Sequence, residues 1–210
     1  MKKLLLSAFV ICLAGTSIAQ ESPLWMRHCA LSPDGTTIAF TYKGDIYTVP
    51  STGGRATQIT TNPAFDTEPV WSPDSKQIAF ASDRMGSLDV FVVSSEGGAP
   101  QRLTTHSGSE KPVAYKDNKH ILFTANIAPS AEDAGFPSGQ FQQVYEVAVT
   151  GGRPAMFSSM PMECISINKE GVMLYQDKKG YEDYWRKHQV SPIARDIWTC
   201  LLYTSPSPRD

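Results

Sequence analysis

Residues 70–105 read VWSPDSKQIAFASDRMGSLDVFVVSSEGGAPQRLTT, and this stretch decides the fold. It contains four short apolar runs separated by turn signals. Pro73 pre-sets φ for a tight turn, Asp74 can bond its own local backbone, and the pair Gly97-Gly98 permits a second hairpin. The stretch therefore predicts a four-stranded antiparallel meander.

The chain repeats this meander. The aspartate of the first turn recurs as Asp34, Asp74 and Asp117, at spacings of 40 and 43 residues. In each copy, the second glycine of a Gly-Gly pair stands five residues before the apolar residue that precedes a hydroxyl pair, from 54 to 59, 98 to 103 and 152 to 157. A period near 40 with four strands per unit is the signature of a β-propeller.

The predicted fold is therefore all-β, an incomplete β-propeller of about three and a half four-stranded antiparallel blades within residues 20–198. The blades are predicted at about 27–61, 66–105, 110–159 and 163–198, with the fourth truncated. Two connections, 126–140 and 177–188, are enlarged and read as surface insertions. The total number of blades and the role of these loops stay open.

Both ends of the chain carry other signals. Residues 1–19 combine a basic start, an apolar run and small residues at Ser17 and Ala19, which predicts a secretory signal peptide cleaved before Gln20. We therefore expect a periplasmic or secreted product with no membrane association after cleavage. Residues 199–210 resemble translated adaptor sequence found at the ends of unrelated gene fragments, so we expect a non-native tail there.

Charge and cysteine placement narrow the function classes. The net charge of −2 and the absence of a basic cluster argue against a nucleic-acid partner. Cys29 and Cys164 fall on the first strands of blades one and four, which are too far apart for a disulfide. We expect two unpaired thiols packed in the core.

No catalytic, cofactor-binding or metal-binding residue is predicted. Residues 20–198 lack a Gly-x-Ser-x-Gly elbow, a His-Glu-x-x-His pair and a Cys-x-x-Cys pair. Three weaker candidates compete with ordinary surface roles: an acidic ring at one channel mouth, a calcium loop, and histidines at loops or strand ends. The residues concerned are Glu68, Glu110 and Glu163, then Asp83 and Asp89, then His28, His106, His120 and His188.

The repeats resemble the periplasmic TolB-like propellers and the amino-terminal propellers of tricorn-type serine peptidases. The Ser-Pro-Asp turn, Ile-Ala-Phe and the loop 82–86 are shared by the whole group. Other segments distinguish one subgroup, and on these residues 23–198 resemble bacterial tricorn-like peptidases of the carboxyl-terminal-processing type. The segments are Trp25-Met26-Arg27, residues 41–45, residues 136–139 with 143–145, and residues 177–188 with 194–198. The chain departs from the pattern of these peptidases at His28-Cys29 and in the terminal tail.

This resemblance implies the propeller region of an exported serine peptidase, acting in substrate gating or protein interaction. The expected partners are peptide or protein substrates and downstream peptidase domains, with a homo-oligomer possible in the full-length parent and no cofactor. Such proteins place a PDZ-like module and an α/β core with a serine nucleophile and histidine base after the propeller, so the catalytic domain would be missing from this fragment. Two alternatives stay open: a non-enzymatic TolB-like binding scaffold and the propeller of a prolyl-oligopeptidase-type enzyme.

Overall fold

The computed structural model describes residues 25–126, 142–158, 162–168, 170–177 and 197–201. Within these ranges all regular secondary structure is β, and it forms four antiparallel sheets with the strands of each in sequence order. Blade one comprises β1 (Arg27–Leu31), β2 (Thr37–Tyr42), β3 (Asp45–Pro50) and β4 (Thr57–Gln58), and blade two comprises β5 (Asp66–Trp71), β6 (Gln77–Ser82), β7 (Asp89–Ser94) and β8 (Gln101–Arg102). Blade three comprises β9 (Lys111–Tyr115), β10 (His120–Ala125), β11 (Gln143–Ala148) and β12 (Ala155–Ser158), and blade four comprises β13 (Met162–Ile167), β14 (Val172–Asp177) and β15 (Ile197–Leu201). The predicted all-β propeller is confirmed.

The Ser-Pro-Asp turns close the first hairpin of blades one and two with a local polar network. In blade two the Ser72 hydroxyl donates to Asp74 Oδ1 at 2.6 Å, and the Gln77 amide donates to Ser72 Oγ at 2.9 Å. Blade one repeats both bonds at Ser32, Asp34 and Thr37, at 2.6 and 3.0 Å. A hydroxyl that bonds at both ends of the turn fixes the register of the two strands.

The first strand of every blade is interrupted by a shift in pairing register. At the same repeat position, His28, Glu68 and Cys164 adopt φ values of 51°, 54° and 52°, a region that side chains other than glycine rarely enter. Blade three has Pro112 at this position, whose ring excludes positive φ. These bulges bend the innermost strand of each blade and reset which side chains face inward.

The bulges explain the outcome for the cysteines. Cys29 and Cys164 are unpaired, as predicted, but both are exposed, so the prediction that they pack in the core is wrong. Each lies inside a bulge, where the strict alternation used to place them inward no longer holds. Cys200, on β15, is exposed and unpaired as well.

Blades pack face to face through a repeated contact. We call the face that packs on the following blade the trailing face, and the face that packs on the preceding blade the leading face. At the first interface Ala39 and Ile46 on the trailing face of blade one meet Ile78, Phe80 and Phe91 on the leading face of blade two. Each fully buried aliphatic or aromatic side chain contributes about 1.5–3 kcal/mol, so these interfaces hold most of the folding free energy.

The next two interfaces use the same repeat positions. Ala79 and Val90 pack against Ile121, Phe123 and Tyr145 of blade three, in a cluster that also holds Val92 and Val147. Leu122 and Val144 pack against Met173 and Tyr175 of blade four. Small or aliphatic trailing faces thus meet large leading faces throughout the described arc. Cross-strand aromatic pairs stiffen the leading faces, with ring centroids 5.9 Å apart for Phe80 and Phe91 and 5.7 Å for Phe123 and Tyr145.

The last described strand extends past the boundary expected at residue 198. Thr199, Cys200 and Leu201 pair with Leu174, Met173 and Val172 of β14. The first three residues of the segment expected to be a structureless tail are therefore part of a sheet. β-branched and apolar side chains suit a pleated strand, whatever the origin of the segment.

The repeat offers a matched test of the packing. Leu122 and Leu174 occupy the same repeat position, but Leu122 is fully buried against blade four whereas Leu174 is 44% exposed. We expect Leu122→Ala to lower the free energy of unfolding by about 2–5 kcal/mol, because it removes transfer energy and leaves a cavity. Leu174→Ala, measured in dilute protein, should change it by about 0.5 kcal/mol or less. Denaturant unfolding of both variants checks this, and equal losses would contradict the packing described.

Candidate functional site

The four bulged first strands enclose an inner groove of about 700 Å³. Each strand contributes three consecutive residues at equivalent repeat positions: Cys29–Leu31, Pro69–Trp71, Val113–Tyr115 and Ile165–Ile167. The turns that follow these strands line one end, through Pro33, Pro73, residues 116–118, Asn168 and Gly171. Ligand sites in proteins commonly have volumes of about 300–1,000 Å³ and a majority of apolar lining residues, and this groove matches both properties.

Hydrogen bonds between neighbouring blades hold the wall and the turn end of this groove in place. The Trp71 indole N–H donates to the Ala30 carbonyl at 3.0 Å and joins blade two to blade one. The Asp34 amide donates to Ser75 Oγ at 3.3 Å, and the Asp74 amide donates to Asn118 Oδ1 at 3.1 Å. The groove is thus a pre-formed feature of the blade arrangement.

The turn end of the groove is polar and charged. Lys116 Nζ pairs with Glu146 at 2.8 Å, and Asp117 Oδ1 accepts from the Lys119 amide at 2.6 Å. The Ser32 hydroxyl lowers the pKa of Asp34, and the Ser72 hydroxyl lowers that of Asp74 in the same way, so both turn carboxylates are ionised at neutral pH. An apolar wall with a charged rim suits an extended peptide, whose side chains need apolar contact and whose backbone needs polar partners.

The three described histidines serve different local roles. His28 Nδ1 lies 2.9 Å from the Thr67 hydroxyl and bridges blades one and two. His106 Nδ1 accepts from the Gly108 amide at 3.0 Å, and His120 Nδ1 lies 3.0 Å from Asp117. None of these three contacts pairs an imidazole with a serine hydroxyl, as the nucleophile and base of a serine peptidase would be paired. His188 and the loop residues 127–140 and 178–188 lie outside the described residues.

The hypothesis of an acidic ring at one channel mouth is wrong for Glu110. Glu68 does lie near a strand start, where it pairs with Lys111 at 2.7 Å. Glu110, in contrast, is completely buried. Its amide donates to the Leu88 carbonyl of blade two at 2.7 Å, which turns the residue into the blade two–blade three interface rather than toward the groove.

Glu110 belongs to a buried charged cluster with Asp89, Arg102 and Thr104. Arg102 and Asp89 form an ion pair at 2.9 Å, and the Thr104 hydroxyl accepts from the Val90 amide at 2.9 Å. Neither Glu110 carboxylate oxygen makes a hydrogen bond of good geometry. Burial raises the pKa of Glu110 to about 7, helped by the nearby Asp89 charge and opposed by Thr104 and Arg102. Burial also raises the pKa of Asp89, against the opposing effect of Arg102.

The interface between blades one and two carries an equivalent cluster, in which the buried carboxylate does accept hydrogen bonds. Asp66, at the position of Glu110, accepts two bonds from Arg84 Nη2 at 2.9 and 3.0 Å. The Arg84 guanidinium in turn lies 4.5 Å from the Phe91 ring centroid. Thr60 takes the place of Thr104 and accepts from the Ile46 amide at 3.0 Å. The sequence analysis did not identify Arg84 and Arg102 as partners of buried carboxylates. The threonine that recurs after the fourth strand, as Thr60 and Thr104, is the sequence feature that could have pointed to these clusters.

The weak calcium hypothesis for Asp83 and Asp89 has no geometric support. Asp83 accepts from the Phe65 amide at 2.7 Å, while Asp89 pairs with Arg102 in the interface. The two carboxylates therefore serve separate contacts. Across the described ranges no group of three or more His, Cys, Asp or Glu side chains is placed to hold a metal ion, and no helix is long and apolar enough to cross a membrane.

Comparison with known families shows to which family of propellers these repeats belong. The family model for the tricorn protease N-terminal beta propeller domain matches residues 23–207. The chain belongs to this family. The match covers all four blades described above and extends beyond the last described strand.

Individual relatives of this tricorn-type propeller match shorter parts of the chain than the family model does. The chain is 32% identical over 108 residues to the "Uncharacterized peptidase YuxL" of Bacillus subtilis, which is 46% of this chain and 16% of that protein. It is 39% identical over 77 residues to "Tricorn protease homolog 1" of Streptomyces coelicolor, 37% of this chain and 7% of that protein. The crystal structure of TolB from Acinetobacter baumannii matches 73% of this chain and 38% of its own with a TM-score of 0.56 at 23% identity, which shows a shared fold. The chain thus spans only a small part of the length of the two curated relatives.

The Glu110 cluster makes the stability of this tricorn-type propeller depend on pH. In the unfolded chain Glu110 loses its proton near its ordinary pKa of 4.5, whereas the folded protein keeps it to about 7. Because the folded state binds more protons in this window, the free energy of unfolding should fall as pH rises from 4.5 to 7, by on the order of 3 kcal/mol at most. Glu110→Gln should remove most of this dependence, and Asp89 and Asp45, whose pKa values burial also raises, contribute to the remainder.

Denaturant unfolding at pH 5 and pH 8 measures the effect. Glu96→Gln, on an exposed turn of the same blade as Asp89, is the matched control and should keep the wild-type difference between the two pH values. A Glu110→Gln variant that loses stability between pH 5 and 8 as steeply as wild type would contradict the assignment.

Proposed function

We propose that this chain is the amino-terminal propeller region of an exported tricorn-like serine peptidase, in which the inner groove selects peptides or docks a protein partner. The match of residues 23–207 to the tricorn protease N-terminal propeller carries this proposal. The leader-like residues 1–19 support export to the periplasm or beyond, with cleavage before Gln20.

The inner groove suits an extended peptide segment, which brings both apolar side chains and a polar backbone. Leu31 is exposed and Ile167 is half-buried at one repeat position of the walls, whereas Trp71 and Tyr115 at the same position are buried against neighbouring blades. The polar groups lie at the turn end, where Lys116 pairs with Glu146 and the Asn118 side chain accepts from the Asp74 amide, so a ligand there would share these groups with their present partners. A folded domain is far larger than about 700 Å³, so the groove would admit only unfolded segments or loop tips.

We propose that catalysis belongs to a separate peptidase core of the longer protein. The side-chain contacts of the three described histidines include none to a serine hydroxyl, and the Thr67 hydroxyl beside His28 joins blades one and two, which supports a binding role for this region. The purified chain should therefore not be labelled by a serine-directed fluorophosphonate. Stoichiometric labelling of any serine between residues 20 and 198 would contradict this division of roles.

A fluorophore on Cys29 tests the groove directly. Cys29 is exposed and lines the groove, whereas Cys164 is exposed but does not line it. With the other cysteines changed to serine, a dye on Cys29 should change its emission when unstructured apolar peptides of about ten residues are added, and the same dye on Cys164 should not. Equal responses at both positions, or none at Cys29, would contradict a peptide-binding groove.

The coding sequence after codon 198 separates the proposed peptidase from its two alternatives. The proposal expects a PDZ-like module followed by an α/β core with a serine nucleophile and a histidine base. A Gly-x-Ser-x-Gly elbow in an α/β-hydrolase domain would instead indicate a prolyl-oligopeptidase-type enzyme, and completion of the propeller without any further domain would indicate a TolB-like scaffold.

A further inference from the structure

The inner groove is walled by the edges of four sheets. Within the described residues the first strand of each blade stands at one end of the strand order of its sheet and pairs only with the second strand. Each of these first strands contributes three consecutive residues to the groove, so its unpaired edge borders the groove. Backbone N–H and C=O groups along an unpaired edge can pair with another extended chain.

The pairing register of blade two shows which backbone groups point into the groove. Residues of an antiparallel ladder alternate between pairs that exchange hydrogen bonds and pairs whose N–H and C=O groups point away from each other. The Ser95 amide donates to the Lys76 carbonyl at 2.8 Å, which makes these two residues a hydrogen-bonded pair. Ile78, two residues further along β6, therefore bonds to Val93 of β7. Trp71 lies opposite Ile78, so its own N–H and C=O point away from β6 and toward the groove.

The other three blades repeat this arrangement. Blades one and three have the bond that corresponds to that of Ser95 with Lys76, each at 2.8 Å, and in blade four a bond of 3.0 Å between the first two strands fixes the same alternation. These bonds join Ser51 with Thr36, Val149 with Lys119, and Asn168 with Val172. One residue of each first strand therefore points both its N–H and its C=O into the groove, at the same repeat position in every blade. The four residues are Leu31, Trp71, Tyr115 and Ile167.

Two of the four edges keep an N–H at every residue. Pro69 on β5 and Pro112 on β9 have no N–H to offer, whereas neither β1 nor β13 contains a proline. The inward backbone groups of β1 and β13 have no partner in their own sheets, unlike the side chain of Lys116, which pairs with Glu146 at 2.8 Å. A ligand could therefore bond to these two edges without breaking a ladder bond.

We propose that an extended polypeptide segment binds in the inner groove by adding as a further strand to the inner edge of β1 or β13, with paired hydrogen bonds to Leu31 or Ile167. An extended segment presents a matching N–H and C=O on the same side at every second residue. Main-chain bonds depend little on side-chain identity, so the groove takes segments of many sequences and selects among them only by the side chains that contact its apolar wall. This inference rests on the proposed function of the groove and states how the peptide is recognised.

Proline substitution on the inner edges tests the proposal from the side of the protein. The double variant Leu31→Pro, Ile167→Pro removes two inward N–H groups that make no bond to the second strand, so it should keep the wild-type circular dichroism. The matched control, Leu31→Ala with Ile167→Ala, shortens the same side chains but keeps both N–H groups. Fluorescence anisotropy of a dye-labelled unstructured peptide should show binding to the proline variant about tenfold or more weaker than to the alanine variant.

N-methylation of the peptide tests the same bonds with the wild-type chain. A peptide with N-methylalanine at consecutive central residues loses N–H groups on both of its edges, whereas the isomer with 2-aminobutyrate at these residues carries the same extra carbons on its side chains. The methylated peptide should bind about tenfold or more weakly than this isomer. Equal binding of the two peptides, or of one peptide to the proline and alanine variants, would overturn the main-chain mode while the groove remained a peptide site. A wild-type chain that binds none of the peptides would overturn the proposed function and this inference together.

Discussion

The face-to-face burial of each blade by its neighbours is the constraint on which the rest of this structure depends. A strand such as Ile78-Ala79-Phe80 is apolar on both faces, so its sheet is stable only between two other sheets. Small residues on the trailing face allow close approach, and aromatic pairs on the leading face fill the space. The single repeat motif therefore encodes both a blade and the surface that joins it to the next.

The inner groove and the buried acids follow from that arrangement. Stacking blades brings their first strands together, and the bulges at His28, Glu68 and Cys164 bend those strands around a shared space. The same stacking buries Glu110 beside Asp89, and the Arg102 charge offsets this burial in part. The equivalent Asp66 accepts two hydrogen bonds from Arg84. The repeat can therefore supply hydrogen bonds to a carboxylate at this position, but it does so for Asp66 and not for Glu110. Glu110 therefore holds its proton to near neutrality.

The sequence predicted the fold well because its signals are local and repeated. The aspartate turns, the Gly-Gly pairs and the doubly apolar strands each follow from backbone conformation or burial, and their spacing identified the propeller. The exposure of Cys29 and Cys164 could not be predicted in this way, because a bulge depends on positive φ at residues whose types do not demand it. The burial of Glu110 was equally hidden, since it depends on contacts with Asp89 and Arg102 across two blades. The groove itself follows from the topology, but which side chains line it depends on where each first strand bulges, and no sequence signal marks that position.

Native-state hydrogen exchange, resolved by strand in dilute protein, tests the central role of two-sided burial most directly. Exchange protection should be greatest in β6, β7 and β10, which lie between neighbouring blades, and least in β15, whose five residues are all exposed. The account predicts that protection decreases from blades two and three toward both uncovered faces. Protection of β15 equal to that of β10 would show that a blade is stable without a neighbour on each face, and would contradict the account.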